Sequence, residues 1–430
     1  MAGERTPADG KRLGEQMSKK ISGCVALVAL FGLTLFLMNC GSSSSRPAGL
    51  LYVASQGDSN IGSYAINLDS GKLSLLNKTT PTDTTPSIML FDPSGKVAYV
   101  LNTGTNNITS YTVNNDGSLS APTSTALPVQ NSVAVARDEA GTFLFVASQG
   151  SIPLPQPPPA NNRCGFPPDP NILPEPNAVC PHLTVFATQS GSTTLTQVGN
   201  PLPLKGVPTS VTTATGPSGT LLYVTTNQDL LKINDNQVSA FNADGSGAVT
   251  EQTTPHYATA SAPSSVLTVK TTPTGGSGGL FVYVTNVTTD NLSVYQVCTQ
   301  VNGTCGTQDV TPTNNTLIPV GSPVSVGLDP VAMTVDPTNN FLYVVNHTSS
   351  TVSSFRINPT TGALSALNPS TVSTGSNPVA ITMHSSGKFL YVSNNGSSNI
   401  SGFNADTTSG ALSNATNVTS SAQPAGLVAK

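Results

Sequence analysis

The sequence contains no tryptophan and few charges, since Asp, Glu, Lys and Arg make up only 9% of its 430 residues. The formal net charge is −4, and no basic cluster follows the N-terminal segment. Nucleic-acid binding needs a positively charged surface, so the sequence argues against a nucleic-acid partner. Disorder is the competing interpretation of such a polar chain, but regularly spaced apolar segments argue against it.

Catalytic motifs are also missing. The sequence has no Gly-x-Ser-x-Gly elbow, no His-Glu-x-x-His pair, no Walker loop and no dinucleotide-binding fingerprint. Neither a metal nor another cofactor is therefore predicted, and no catalytic constellation is visible in the sequence.

What the sequence does contain is a repeat. An aromatic residue followed by Val recurs in seven copies of one register, and the most closely spaced copies are 46 to 48 residues apart. The aromatic residues are Tyr52, Tyr99, Phe145, Tyr223, Tyr283, Tyr343 and Tyr391. A period of this length is typical of propeller blades.

Each repeat predicts four short strands, which we name a, b, c and d in chain order. Strand a usually opens with Pro, as in 378–380, and strand b carries the aromatic–Val pair. Strand c alternates between apolar and polar residues, as in 352–357, and strand d follows a Gly-x-Leu element such as 410–412. Alternation and β-branched residues favour strands over helices. The predicted fold is therefore all-β, with four antiparallel strands per blade.

The two ends of the repeat region complement each other. Residues 49–53 begin directly with a strand b, and residues 423–428 form an extra strand a at the end of the chain. If the last strand joins the first three, seven complete blades result. Radial repetition of four-stranded sheets leaves only short, protected edges. We therefore predict a closed seven-bladed propeller over residues 49–430.

The repeat resembles a known family. The phrase Gly-Lys-Phe-Leu-Tyr-Val-Ser-Asn at 387–394, followed by Asn399–Phe403 and Gly410–Leu412, is similar to the lactonase-type seven-bladed propellers. That family includes 6-phosphogluconolactonase-like proteins and related surface repeats named for Tyr-Val-Thr-Asn, which 283–286 matches and 223–226 nearly matches. The resemblance covers about residues 49 to 430. It implies the fold and, as one function, lactone hydrolysis.

The N-terminal segment indicates export. Residues 1–16 show no pattern and are read as a non-structural extension before Met17. Residues 17–40 combine lysines, an apolar run from 21 to 38 and Cys40, as a signal peptide does. The sequence around Cys40 resembles a bacterial lipoprotein processing site, from which Asn39 departs. We predict lipidation at Cys40, with a retained membrane span as the alternative, a tether over 41–48, and a place at the bacterial cell envelope, facing the periplasm or the cell surface. The membrane would be contacted only through the lipid.

Four further cysteines fit an oxidising compartment. Proximity predicts the disulfides Cys164–Cys180 and Cys298–Cys305, although four cysteines allow three connectivities and the spacings are not those of a zinc site. The first pair lies in a Pro-rich insertion at 150–182, between strands b and c of the third blade. Loops of this length are usually functional or disordered. The insertion is either a stapled surface excursion or a lid or docking loop.

Candidate site residues follow from the resemblance, which implies that b–c loops and d–a connections share one, usually binding, face. The catalytic candidates are His347, expected in a b–c loop, His256, expected in the connection into the fifth blade, and His182, expected at the end of the insertion. Each of them could instead be a solvated or capping residue. His384 is predicted to be a turn residue on the opposite face. A polar rim suited to neutral sugars or peptide backbone is predicted from loop amides, which could also simply satisfy turns: Asn60, Asn107, Asn291, Asn346 and Asn399.

These features lead to two functional hypotheses. The first is a monomeric binding module whose partner is a protein, a glycan or a small lactone; a purely structural envelope protein is a separate, third option. The second is a lactone hydrolase with 6-phosphogluconolactonase-like activity. The predicted channel lining of small apolar and hydroxyl side chains favours the first, because hydrolysis needs an acid or base at the mouth.

Overall fold

The computed structural model describes residues 49–120, 122–150, 181–229, 236–272, 278–298 and 316–430. These residues form seven antiparallel sheets, and no helix occurs among them. The predicted all-β, seven-bladed propeller is therefore confirmed. Within the same ranges there is no helix whose length and apolar character would let it cross a membrane. The predicted extension, signal peptide, tether and most of the insertion lie outside the described residues.

Every blade consists of an inner strand a followed outwards by strands b, c and d. From blade I to blade VII, strand a is β29 (Pro424–Ala429), β4 (Pro86–Phe91), β8 (Ser132–Arg137), β12 (Gly206–Gly216), β16 (Pro263–Lys270), β21 (Pro330–Val335) and β25 (Pro378–Met383). Strand b is β1 (Gly49–Ser55), β5 (Val97–Asn102), β9 (Phe143–Ser148), β13 (Gly219–Asp229), β17 (Leu280–Asn286), β22 (Phe341–Asn346) and β26 (Phe389–Asn394).

The outer half of each blade follows the same order. Strand c is β2 (Asn60–Ile66), β6 (Asn107–Thr112), β10 (His182–Ala187), β14 (Gln237–Ala243), β18 (Asn291–Cys298), β23 (Thr351–Ile357) and β27 (Asn399–Ala405). Strand d is β3 (Leu73–Pro81), β7 (Thr123–Ala126), β11 (Thr196–Pro203), β15 (Val249–Ala258), β19 (Thr316–Pro319), β24 (Leu364–Ser373) and β28 (Leu412–Thr419). A short additional strand in blade V, β20 (Val324–Ser325), also pairs with β18.

The ring closes through blade I. Strand β29 pairs with β1, and the main chains of Leu50 and Lys430 exchange hydrogen bonds of 2.8 and 2.9 Å. Strand β29 also packs against β4 and β25 in the two flanking blades. A Cβ atom at Gly426 would lie 2.7 Å from the main-chain oxygen of Ser87 in β4, so only glycine permits this approach. The predicted closure by the C-terminal strand is confirmed.

The core lies between blades rather than inside any one of them. Strands such as β5, β9 and β22 are buried at every position, because each sheet is covered on both faces by its neighbours. The cluster that joins blades VII and I contains Leu51 and Val53 together with Tyr391 and Ile400. Complete burial of such side chains contributes about 1.5–3 kcal/mol each. This burial explains why strand b is the most regular part of the repeat.

The aromatic–Val and Gly-x-Leu elements recur because they bond to each other across blades. The hydroxyl group of Tyr283 donates to the main-chain oxygen of Gly362 in the next blade at 2.8 Å, and Tyr343 donates to Gly410 at 2.9 Å. Both glycines have φ near +70° to +76°, where a side chain is strained. The two repeat signatures are therefore the two halves of one contact between blades.

The turn between strands a and b is built on one acceptor side chain. In blade VI, Oδ1 of Asp336 accepts hydrogen bonds from the main-chain N–H groups of Asn340 and Phe341 at 2.8 and 2.7 Å. Asp92 accepts the equivalent hydrogen bonds in blade II. Burial alone would raise the pKa of its carboxyl group, but the hydrogen bonds from Ser94, Val97 and Lys96 outweigh the effect of burial and lower the pKa. His384 lies at this position in blade VII, as predicted.

Two blades depart from the predicted pattern. In blade IV, strand b continues beyond its last pair with strand c, because β13 extends through Asn227 to Asp229. In blade II, Leu119 of the Gly-x-Leu element forms only an isolated bridge with Val113, and strand d begins at Thr123. Both differences arise in outer or loop positions, where packing between blades constrains the chain least.

Candidate functional site

The b–c loops and the d–a connections meet at one end of the channel, which we call the loop face. The residue after strand b donates its main-chain N–H to the residue that precedes strand a, as from His347 to Asp329 at 2.8 Å. The preceding residues have φ between 51° and 60°, although none is glycine: Thr85, Asn131, Ala262, Asp329, Asn377 and Gln423. The strained backbone is held by these bonds, and the side chains surround the channel mouth.

The repeat provides an internal comparison of these positions. The residues that follow the last strand-b residue paired with strand c are Gln56, Thr103, Gln149, Asn227, Val287, His347 and Asn395. Before strand c stand Ser59, Asn106, Pro181, Asn236, Asp290, Ser350 and Ser398. In blade IV, β12 begins two residues before Pro208, and Val207, directly before that proline, takes the position of the set given above. Titratable residues occur at these positions only where blade V meets blade VI: Asp290, Asp329 and His347.

The three residues form one hydrogen-bonded chain. Nδ1 of His347 lies 3.0 Å from Oδ2 of Asp329, and the two side chains are 29% and 28% exposed. The main-chain N–H of Asp329 donates to Oδ1 of Asp290 at 2.8 Å. If Nδ1 carries the proton that the carboxylate accepts, Nε2 is left as a proton acceptor. A histidine oriented by a carboxylate is the usual arrangement of a general base.

The negative charge of Asp290 is not required by the fold. Asn106 accepts the main-chain N–H of Ser132 at 3.1 Å, and Asn236 accepts that of Ala262 at 2.9 Å. These neutral amides make the same contact that Asp290 makes with Asp329. The carboxylate at Asp290 therefore adds charge beside the His347–Asp329 pair, and its hydrogen bond could be made without that charge.

The other two candidate histidines lie elsewhere. His182 is the first residue of β10 in blade III and is buried, with Ser148 and Pro203 opposite it. His256 was expected in the connection into blade V, and this is wrong. It lies within β15, the outer strand of blade IV, where Nδ1 is 3.0 Å from Oγ of Ser239 and Nε2 is 3.4 Å from Glu251. The three histidines do not converge on one site.

The predicted amide rim is engaged inside the blades. Asn346 ends β22 and donates to the hydroxyl groups of Thr351 and Ser353 in β23 at 3.0 and 2.9 Å. The remaining members each open a strand c: Asn60, Asn107, Asn291 and Asn399. Asn399 accepts from Asn394 at 2.7 Å, and Asn107 accepts from Asn102 at 2.9 Å. These contacts join strands b and c, and a role in ligand binding stays a prediction.

Cysteine, metal and cavity features add nothing to the loop face. Cys298 is buried at the end of β18, whereas Cys164, Cys180, Cys305 and Cys40 lie outside the described residues, so both disulfides and the lipidation stay predictions. Among described residues, no group of three His, Cys, Asp or Glu could hold a metal.

A cavity of about 690 Å³ lies at the opposite face, and Glu139, Lys270 and Asn339 at the a–b turns line it.

Sequence reasoning singled out His347 but did not pair it with the carboxylates of Asp290 and Asp329. Asp329 is close to His347 in sequence, whereas Asp290 is far from it. In the sequence, both have the appearance of ordinary loop residues. The signal that could have found them was the comparison of equivalent positions between blades, because neutral residues occupy those positions elsewhere.

Comparison with known proteins supports the fold. The family model described as lactonase, 7-bladed beta-propeller, matches residues 45–151, 275–376 and 365–428. The second of these matches contains Asp290, Asp329 and His347. No curated protein sequence matches the chain.

Solved structures resemble the whole propeller. The periplasmic gluconolactonase of Pseudomonas aeruginosa has a TM-score of 0.65 and 16% identity, with 89% of this chain and 98% of that chain covered. A putative 6-phosphogluconolactonase from Bacteroides fragilis has a TM-score of 0.64 and 16% identity, with 90% and 99% covered. At these identities the likeness establishes the fold, while the family match covers more than half of the sequence. The chain therefore belongs to the lactonase family of seven-bladed β-propellers.

Proposed function

We propose that the protein is a lactone hydrolase whose reaction takes place on the loop face between blades V and VI. The observation that carries this proposal is the His347–Asp329 pair, with 3.0 Å between Nδ1 and Oδ2, at positions that are neutral in every other described blade. Family membership and the gluconolactonase among the structural neighbours support hydrolysis over the binding role that the sequence favoured.

The pair would activate water. Nε2 of His347 accepts a proton from a water molecule as its oxygen attacks the lactone carbonyl carbon. Asp329, which accepts the Nδ1 proton, stabilises the imidazolium ion that results. The bond between the carbonyl carbon and the ring oxygen then breaks, and the imidazolium returns the proton to the leaving alkoxide. The product is a hydroxy acid, and a positioned general base typically contributes about 10²–10⁴-fold to the rate.

Export and anchoring belong to the same proposal. The gluconolactonase neighbour is described as periplasmic, which supports the sequence-based expectation of an exported, lipid-anchored protein. A periplasmic place would give the loop face access to small lactones from outside the cell.

The test is hydrolysis of δ-gluconolactone by the purified protein, followed as acid release above the spontaneous rate. We expect His347→Gln and Asp329→Asn to lower kcat by about 10²-fold or more, as removal of a general base does. His256→Gln is the matched control, because His256 also contacts a carboxylate, that of Glu251, but on an outer strand. The proposal is wrong if His347→Gln and His256→Gln behave alike, or if no lactone is hydrolysed.

A further inference from the structure

We propose that the lactone taken at this site is uncharged and carries an aliphatic substituent, which Leu328 contacts. This inference rests on the proposed hydrolase function and adds to it the class of substrate. Two independent observations carry it: the sign of the charge around His347, and an exposed leucine next to Asp329.

The loop face is acidic around His347. Asp290 and Asp329 place two carboxylates within one hydrogen-bonded chain, and neither forms an ion pair with a described Lys or Arg. Described cationic residues lie in a–b turns, at the opposite ends of blades or on outer strands: Lys72, Lys78, Lys96, Arg137, Lys270, Arg356, Lys388 and Lys430. Like charges at short range repel each other. A phosphate or carboxylate group on the substrate would therefore be disfavoured here.

One further described cation, Lys205, lies in a d–a connection. Its ammonium group pairs with Glu251 at 2.9 Å and is thereby neutralised. It belongs to the junction of blades III and IV, whereas His347 belongs to blade VI. Lys205 therefore does not supply the missing positive charge beside the His347–Asp329 pair.

Leu328 lies directly before Asp329 and is 53% exposed. A single exposed leucine is ordinary on a protein surface, so its position matters more than its exposure. In the other blades, the residue two before the proline of strand a, or two before Ser132 in blade III, is small or polar: Thr84, Gln130, Gly206, Ser261, Ser376 and Ala422. Leu328 is thus the fourth position at which the junction of blades V and VI departs from the repeat.

The leucine is held in place by its main chain. Its N–H donates to Oγ of Ser349 at 2.6 Å, two residues after His347. Val287, which is half-buried in the b–c loop that contains Asp290, adds a second apolar side chain to this loop region. An aliphatic substituent in contact with Leu328 would remove apolar surface from water, which favours binding. The hydroxyl groups of a sugar lactone would gain no such free energy from this contact.

The test compares three lactones: δ-decalactone, which has an aliphatic chain; δ-gluconolactone, which is hydroxylated; and 6-phosphogluconolactone, which is anionic. We expect kcat/KM to be highest for δ-decalactone and lowest for 6-phosphogluconolactone. Leu328→Asn should lower kcat/KM for δ-decalactone roughly tenfold, mainly through KM, and leave that for δ-gluconolactone unchanged. Leu75→Asn, at a leucine 49% exposed on outer strand β3, is the control and should change neither.

The outcomes separate the two proposals. If no lactone is hydrolysed, both fail. If hydrolysis depends on His347 but 6-phosphogluconolactone is preferred, the charge argument is overturned while the hydrolase proposal stands. If Leu328→Asn leaves the preference for δ-decalactone intact, the assignment of Leu328 is overturned in the same way.

Discussion

The hydroxyl group of Tyr391 donates a hydrogen bond of 2.9 Å to the main-chain oxygen of Gly71, although 320 residues separate the two in sequence. Tyr391 belongs to blade VII and Gly71 to blade I, so this bond crosses the point at which the ring closes. Burial raises the pKa of the Tyr391 phenol, which keeps the donor protonated well above neutral pH. The same bond between a tyrosine of one blade and a glycine of the next is therefore also made where the last blade meets the first.

Tyr391→Phe should lower the free energy of unfolding by about 1–3 kcal/mol, because the buried oxygen of Gly71 loses this donor. Urea unfolding at neutral pH measures the change. Tyr223→Phe is the matched control, since the Tyr223 hydroxyl group is buried in blade IV without a described hydrogen-bond partner. That variant should be within about 0.5 kcal/mol of the wild type or more stable. Equal losses in the two variants would contradict the importance of the Tyr391–Gly71 bond.

Gly71→Ala should destabilise the protein more than Gly191→Ala. Both glycines have positive φ, +69° and +74°, so both substitutions introduce backbone strain of about 1–2 kcal/mol. A Cβ atom at Gly71 would also lie 2.5 Å from Cδ1 of Phe389, whereas Gly191 has nothing within 4 Å. The additional overpacking at Gly71 should cost about 1–3 kcal/mol. Thermal unfolding of both variants measures the difference, and similar midpoints would show that the contact can relax.

Asp290→Asn should leave stability unchanged within about 0.5 kcal/mol, because Asn106 and Asn236 make the equivalent bond in other blades. If the charge of Asp290 serves the His347–Asp329 pair, kcat for lactone hydrolysis should fall and its pH profile should shift, with KM little changed. Asn106→Asp, which adds a carboxylate at a junction without histidine, is the control and should not affect hydrolysis. A normal pH profile for Asp290→Asn would assign the residue a structural role alone.

His384 should make the protein less stable as the pH falls below neutral. Burial lowers its pKa, and the hydrogen bond from Nε2 to the main-chain oxygen of Lys430 opposes this only in part. The unfolded chain therefore takes up the proton first, near the ordinary value of about 6.5. The stability that neutral His384 contributes is present above that value and is lost as the pH falls towards the lowered pKa.

His384→Asp is the variant that checks this expectation. Asp92 and Asp336 occupy the same turn position in other blades and accept the main-chain N–H groups of strand b. The variant should show a smaller loss of unfolding free energy than the wild type between pH 7.5 and pH 5, measured by urea unfolding. An unchanged loss would mean that other groups cause the pH dependence.

The sequence predicted the strands better than it predicted the residues of the site. Tyr343 and Gly410 were visible as repeat signatures before their contact was known, because every blade must pack against the next in the same way. His256 was misplaced, since a polar residue in an outer strand is not distinguished by pattern from one in a loop. Asn346 and Asn399 suggested a binding rim because sequence shows that an amide is near a loop, but not which partner it already has.

The amino-acid sequence by itself determined the all-β class, the seven units, the borrowed strand Pro424–Ala429 and the family, because these follow from local alternation and a repeated spacing along one chain. Only the tertiary structure decided that Asp290, Asp329 and His347 form one hydrogen-bonded chain and that Leu328 stands exposed beside them. The site residues belong to two neighbouring blades and differ from the residues at equivalent positions in the other blades, so the repeat does not predict their contact, and only the packing of blade V against blade VI brings them together.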